Sequence, residues 1–306
     1  MIDPQLEQQR ATLKRYDYPP SFIVEMTAFC NLRCIMCPQP QVTRRRGQMS
    51  FETWRRIVDD IAANSPDSEL WPAIMGEALL LGDDFYTFVQ YARESGLDNI
   101  NLNTNLLLLE ERDYERIMLL GLRSINVGLD AATAETYART RRGGDFEVAR
   151  RNMLGILGVA KRLGLQGPKI VAQLIEMEEN IDEVDAFISY WTSKGAHVKL
   201  RRRLGWGKGV DAPYLAIKQT ERFMPCPCLI RAMSIHWDGR VPQCDGDWNG
   251  EEYLGDVNKQ SIKEIWDGEL ARRRERHWNG DFDFEPCRHC SDWQGGFAAW
   301  YNPAGQ

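Results

Sequence analysis

The chain has no apolar run that approaches membrane-spanning length, which excludes a helical span. Its first ten residues, Met1 to Arg10, are polar and charged and are no secretory signal. Positive charge is not in excess either: 38 Lys and Arg face 44 Asp and Glu, for a net charge of −6. That balance gives no general attraction for nucleic acid or anionic membranes. The basic runs 44–46 and 201–203 are local, and read as solvated faces or contacts to one small anionic group. Histidine is scarce, with four in 306 residues. Neither an internal repeat nor a low-complexity linker is visible. What remains is a globular protein, expected to be cytoplasmic, with 43% hydrophobic and 27% charged residues, long enough to bury a core without staples.

Cysteine is what the chain does have: eight, in two sets. Cys30, Cys34 and Cys37 lie within one short run, 28–38, and the next cysteine is Cys226. A closed zinc site needs a fourth protein donor, which this run does not supply. Three thiolates alone suit three irons of a [4Fe–4S] cluster, with the fourth iron left open to an exogenous ligand. The second set is Cys226, Cys228, Cys244, Cys287 and Cys290. Four of these five thiolates suffice for zinc or for an iron–sulfur cluster. The metal-type spacings and the missing export signal argue against structural disulfides.

Apolar patterning predicts strands at 22–26, 69–75, 99–102, 124–127, 169–175 and 197–200. Helices are predicted at 50–63 (capped by Ser50), 83–95, 109–120, 146–163 and 181–194. This strict β–α alternation points to the α/β class, with a parallel sheet and helices outside it. Active groups at the C-terminal strand ends suit an open or partial (β/α)6 barrel. The rival, a dinucleotide-binding sheet, would rest on the Gly-rich stretch 205–209, which lacks a following helix and the right spacing. Near residue 212 the pattern changes to hairpin signals. A β-hairpin is expected over 232–241, turning at Asp238-Gly239, followed by a strand end at 254–257 and a short helix at 261–266. The expected organisation is an N-terminal extension (1–20), a partial barrel (21–211) and a small cluster-binding domain (212–306).

The C-x3-C-x2-C run, with Met36 before its last cysteine, resembles the signature of the radical S-adenosylmethionine (SAM) superfamily. The resemblance extends over roughly residues 20–210. It implies that Gly76-Glu77 after the second strand binds the SAM amino group through its backbone. It likewise implies that Thr104 and Asn105 form a ribose-side loop, that Asp130 closes the fourth strand, and that Arg141 pairs the SAM carboxylate. A planar guanidinium fork suits that last role. The chain departs from the family at Met75 and Ala78, and at Gly128, where many relatives have Ser. The second cysteine set resembles the short, single-cluster ("twitch") form of the SPASM auxiliary domain. That likeness implies a second [4Fe–4S] cluster on Cys226, Cys244, Cys287 and Cys290.

Cys228 is then the spare cysteine. It is either buried and exchangeable with Cys226 as a ligand, both facing one side of an extended segment, or a free thiol at the barrel mouth. A free thiol there suits hydrogen-atom donation to a substrate radical. The chain is similar to the short epimerases and dehydrogenases of aminoglycoside and oligosaccharide antibiotic pathways. The expectation is therefore reductive SAM cleavage, hydrogen abstraction from a sugar or aminocyclitol carbon, and epimerisation with Cys228 as donor. The alternatives are oxidation of a secondary alcohol to a ketone, with the second cluster as electron acceptor, and peptide modification. The short lead-in before the first strand disfavours a built-in leader-binding domain. A ferredoxin or flavodoxin electron donor is implied by the resemblance. Trp206, Trp237, Trp248, Trp293 and Trp300 are either core residues or the lining of a sugar cleft.

Overall fold

A computed structural model describes residues 3–210, 221–295 and 298–303. Helix α1 (Pro4–Thr12) is capped by Asp3, whose carboxylate accepts the Gln5 N–H. Strand–helix repeats follow: β1 (Ser21–Val24) and α2 (Phe51–Asn64), β2 (Glu69–Trp71) and α3 (Asp83–Glu94), β3 (Asn101–Thr104) and α4 (Tyr114–Met118). Next come β4 (Ser124–Gly128) with α5 (Ala134–Thr140) and α6 (Phe146–Leu163), β5 (Lys169–Glu176) with α7 (Val184–Ser193), and β6 (His197–Arg202). The C-terminal part adds α8 (Pro227–Arg231), β7 (Ala232–Ile235), β8 (Arg240–Pro242), β9 (Tyr253–Asp256), α9 (Ile262–Asp267), α10 (Glu269–Trp278) and β10 (Ala298–Tyr301).

β1 pairs with β2, and β3 through β6 pair in order, all in parallel. A parallel bridge between Leu70 and Ile100 joins the two groups. The six strands therefore make an open (β/α)6 barrel whose C-terminal ends share one mouth. The longer barrel helices α2, α3 and α6 each bury one largely apolar face. In α2 these are Trp54, Ile57, Val58 and Ile61, and the Trp54 indole donates to the Phe88 carbonyl at 2.8 Å.

Both barrel edges are covered by the C-terminal part: β7 pairs in parallel with β1, and β10 antiparallel with β6. This corrects the expected hairpin. The turn exists, with Gly239 at φ +86°, but its arms diverge, β7 to the barrel and β8 to β9. An unpaired edge of β1 is the stronger claim on β7, because an open barrel leaves its backbone groups unsatisfied. The second strand ends at Trp71 and so is shorter than expected, leaving Met75 in a loop; the third helix spans only Tyr114–Met118. The expected domain boundary near 212 lies outside the described residues. Among the described residues no helix is long and apolar enough to cross a membrane.

Candidate active site at the barrel mouth

The loop after β1 carries Cys30, Cys34 and Cys37, all partly buried. It is held from three sides by backbone. Arg33 and Ile35 N–H groups donate to the Arg142 and Thr140 carbonyls at 2.9 and 3.0 Å, at the end of α5. Glu77 N–H donates to the Phe29 carbonyl at 2.9 Å, and Ala28 N–H to that of Gly47 at 2.9 Å. Burial pushes the Cys30 thiol up to about 11, the Cys37 thiol up to about 12, and Cys34 in the same direction. Backbone N–H groups of Leu32 and Gln39, and the Arg141 guanidinium, act the other way. Buried thiols met by N–H donors are what a cluster ligand set requires, since the metal replaces the proton.

Gly76 has a packing reason of its own. A Cβ there would lie 1.9 Å from the Thr27 carbonyl oxygen and 2.8 Å from that of Phe29, so the glycine lets the β2 loop press on the cysteine loop. Glu77 is buried, and its side chain is spent as a brace. It accepts the Thr104 hydroxyl and the Asn105 N–H, both at 2.8 Å, and the Leu79 N–H at 3.3 Å. Asn105 in turn donates to the Asn31 side chain at 2.8 Å. Thr104 and Asn105 thus tie the β3 end to the cysteine loop.

Asp130 is fully buried and takes φ +55°; Leu106, after β3, takes φ +62°. Two non-glycine residues in the left-handed region, each just past a barrel strand, are local strain held by the surrounding structure. Arg141 reaches back from the end of α5 and meets the Asp130 carboxylate with Nε at 2.7 Å and Nη2 at 2.5 Å. Burial works against the Arg141 charge, but Asp130, Cys34 and Tyr137 hold it above the ordinary arginine range. Gly128 now has an explanation: a Cβ there would sit 2.0 Å from the Arg141 guanidinium. Asp130 orients Arg141, and Arg141 rather than Asp130 lines the cavity.

That cavity, about 480 Å³, fills the barrel from the cysteine loop to β6. Met36, Gly76, Glu77, Thr104, Asn105 and Arg141 all face it. Its far wall holds Trp71, Gln173, Lys199 and Arg201, none of which the sequence singled out as site residues. Inward alternation along β2, β5 and β6 places them there, a signal visible only once the register is known. Burial, then Arg201, pushes Lys199 down to about 8. Of the five tryptophans proposed for a cleft, Trp206 faces the cavity and donates to the Met36 carbonyl at 3.0 Å. Trp237 and Trp248 donate to the Arg45 and Trp206 carbonyls, Trp293 is buried, and Trp300 is 47% exposed on β10. Of the run 44–46 only Arg45 is exposed: Arg44 forms a buried ion pair with Glu25 at 2.6 Å, and Arg46 donates to the Gln39 and Val42 carbonyls.

The second cysteine set lies beside the mouth. Cys244 is pushed up by burial, with Asp245, Cys226, Cys287 and Cys290 beside it, and Cys226 also neighbours the Cys287 and Cys290 thiols. Half-buried Arg222 stands against Cys226, Cys287 and Cys290, and its buried Nε and Nη2 have no hydrogen-bond partner among the described residues. A cation with such buried donors calls for an anion, and a thiolate-ligated cluster supplies it. Cys226 caps α8 and Cys228 sits in its first turn, so the two are not on the extended segment expected. Cys228 neighbours Cys226 and the Asp245 carboxylate, with Arg201 beside it. Asp245 and Arg201 line the barrel cavity.

Residues 24–187 match the family model of the radical SAM superfamily. The chain belongs to the radical SAM superfamily. Residues 226–291 match the SPASM iron–sulfur cluster-binding domain. The chain therefore binds SAM and a [4Fe–4S] cluster in the barrel and carries a further iron–sulfur site at its C-terminal end. Over 195 residues it is 25% identical to the mycofactocin maturase MftC of Mycobacterium tuberculosis, covering 64% of this chain and 47% of that protein. Over 189 residues it is 23% identical to a GTP 3′,8-cyclase of Clostridium botulinum, covering 61% and 57%. The chain spans about half the length of these curated relatives. BtrN, crystallised with AdoMet and 2-DOIA, superposes with a TM-score of 0.63 at 17% identity, over 89% of this chain and 92% of that one. Streptococcus suis SuiB, bound to its precursor peptide SuiA, gives 0.68 at 10% identity, over 95% and 73%. At these identities the likeness is one of fold.

Proposed function

We propose that this radical SAM enzyme epimerises a carbon centre of a polar small molecule, carbohydrate-like in its hydroxyl and charged groups, with Cys228 as hydrogen-atom donor. The observation that carries the reading is the placement of Cys228. It adjoins Cys226 and Cys244, and on its other side it neighbours Asp245, a cavity-lining carboxylate. When bound, reduced cluster and SAM supply a 5′-deoxyadenosyl radical, which removes hydrogen from the substrate carbon. Arg141, fixed by Asp130, is the residue for the SAM carboxylate, and Met36 and the Thr104–Asn105 turn flank the nucleoside side.

Cys228 then breaks its S–H bond and gives a hydrogen atom to the substrate radical from the opposite face, leaving a thiyl. One electron, from a one-electron donor protein of the ferredoxin or flavodoxin class, and one proton restore the thiol. Asp245 is the neighbouring exchangeable site for that proton. The polar cavity wall, Gln173, Lys199 and Arg201, supports a hydrophilic substrate. The Gln173 Oε1 has no hydrogen-bond partner among the described residues, as suits a group that meets a ligand.

The test is turnover in deuterated water with a panel of sugars and aminocyclitols. Epimerisation through Cys228 gives a product one deuterium heavier, and Cys228→Ala abolishes the epimer while still forming 5′-deoxyadenosine. A product two hydrogens lighter, unaffected by Cys228→Ala, would replace this reading with alcohol oxidation.

A further inference from the structure

The auxiliary cysteines are not equivalent: besides Arg222, which stands against three of them, two side chains outside the ligand set converge on one. Gln243 Nε2 lies 3.0 Å from the Cys287 sulfur and His277 Nε2 lies 3.2 Å from it. The direction of the His277 bond follows from its other nitrogen. Nδ1 accepts the Cys226 backbone N–H at 3.2 Å, so Nδ1 carries no proton and Nε2–H is the donor. His277 thereby spans two cysteines of the set, accepting from the backbone of one and donating to the sulfur of the other.

Both groups are fixed in place. His277 is 1% exposed and lies between the Phe282 and Phe284 rings, at 5.1 and 5.5 Å. Gln243 is 2% exposed, and its Oε1 accepts from Arg273 Nη1 at 3.4 Å, which turns its NH2 toward Cys287. Arg273 is itself anchored by Glu252 and Glu269. By contrast Cys290 receives a backbone N–H, from Asp292 at 3.4 Å.

We propose that Gln243 and His277 are positioning residues that set the reduction potential of the auxiliary cluster by donating two N–H hydrogen bonds to the Cys287 sulfur. An N–H dipole aimed at a ligand sulfur stabilises the added electron of the reduced cluster, and hydrogen bonding to sulfur is one of the protein's means of tuning iron–sulfur potentials. The pair raises the potential and so favours the reduced form. This role is independent of which substrate carbon is attacked and of whether Cys228 gives a hydrogen atom.

The test is a redox titration, followed by electron paramagnetic resonance, of the anaerobically reconstituted full chain. SAM addition identifies the signal of the barrel cluster. In His277→Phe, and separately in Gln243→Met, the auxiliary cluster is expected to keep its iron and to lose about tenfold in its one-electron reduction equilibrium, a fall of ~59 mV. The double variant falls further. A change below threefold in both single variants overturns the proposal. Loss of about half the iron in both overturns it too, because the residues then serve only to hold the cluster in place.

Discussion

At the residue scale the site depends on close approach and on one buried ion pair. Gly128 leaves room for the Arg141 guanidinium, 2.0 Å from where a Cβ would be. Gly128→Ser is expected to push Arg141 off Asp130. SAM binding, measured by equilibrium dialysis of the reconstituted protein, should weaken about tenfold, or ~1.4 kcal/mol. Asp130→Asn leaves the Arg141 charge buried without its counter-ion. Breaking such a pair costs about 3–5 kcal/mol, read as a lowered unfolding midpoint; an unchanged midpoint would mean the pair adds nothing.

His236 gives a pH signature. Burial, with Arg44 and Arg240 nearby, pushes it down to about 2, and its Nε2 has no partner among the described residues. The folded chain then stays unprotonated there while the unfolded chain takes a proton below its ordinary value of 6.5. Stability is therefore lost as pH falls below 6.5. Compared with His236→Gln, the wild type should lose ~1.4 kcal/mol per pH unit in that window and nothing above it. Parallel curves for the two proteins between pH 6.5 and 5 would contradict this.

At the element scale, legibility followed apolar periodicity. Helix α6 was readable to its ends because Asp145 caps it, buried Ala149, Met153 and Ile156 give it a 3.6-residue stripe, and Gly164 closes it in a left-handed turn. Helix α10 was not, because Leu270 and His277 are its buried residues and the rest, apart from Ala271 and Trp278, is charged. Helix α5 was missed for the same reason: its buried positions are Thr136, Tyr137 and Thr140. Yet α5 carries the arginine and the carbonyls that hold the cysteine loop. Helix α9 was readable from Ser261 and Glu264, which form a reciprocal cap. Ser261→Ala should cost about 1 kcal/mol in denaturant unfolding without changing iron content. A loss of iron would tie α9 to the cluster site.

At the scale of the whole molecule, the C-terminal part is wound into the barrel rather than appended to it. β7 and β10 close the two barrel edges, and α8, which precedes β7, carries Cys226 and Cys228. Cysteine spacing was enough to read in the sequence that the chain carries two iron–sulfur sites. What it did not contain was the distance between them, because that depends on a parallel pairing of residues 21–24 with 232–235, some two hundred positions apart. The same pairing places the spare thiol beside a cavity-lining carboxylate instead of at a remote surface.

The most direct test of this account is iron per chain in anaerobically reconstituted wild type and Cys228→Ala, measured side by side. Two [4Fe–4S] clusters and a free Cys228 predict about eight irons in both proteins. A variant falling toward about four would make Cys228 a cluster ligand, remove the hydrogen-atom donor and contradict the epimerase reading.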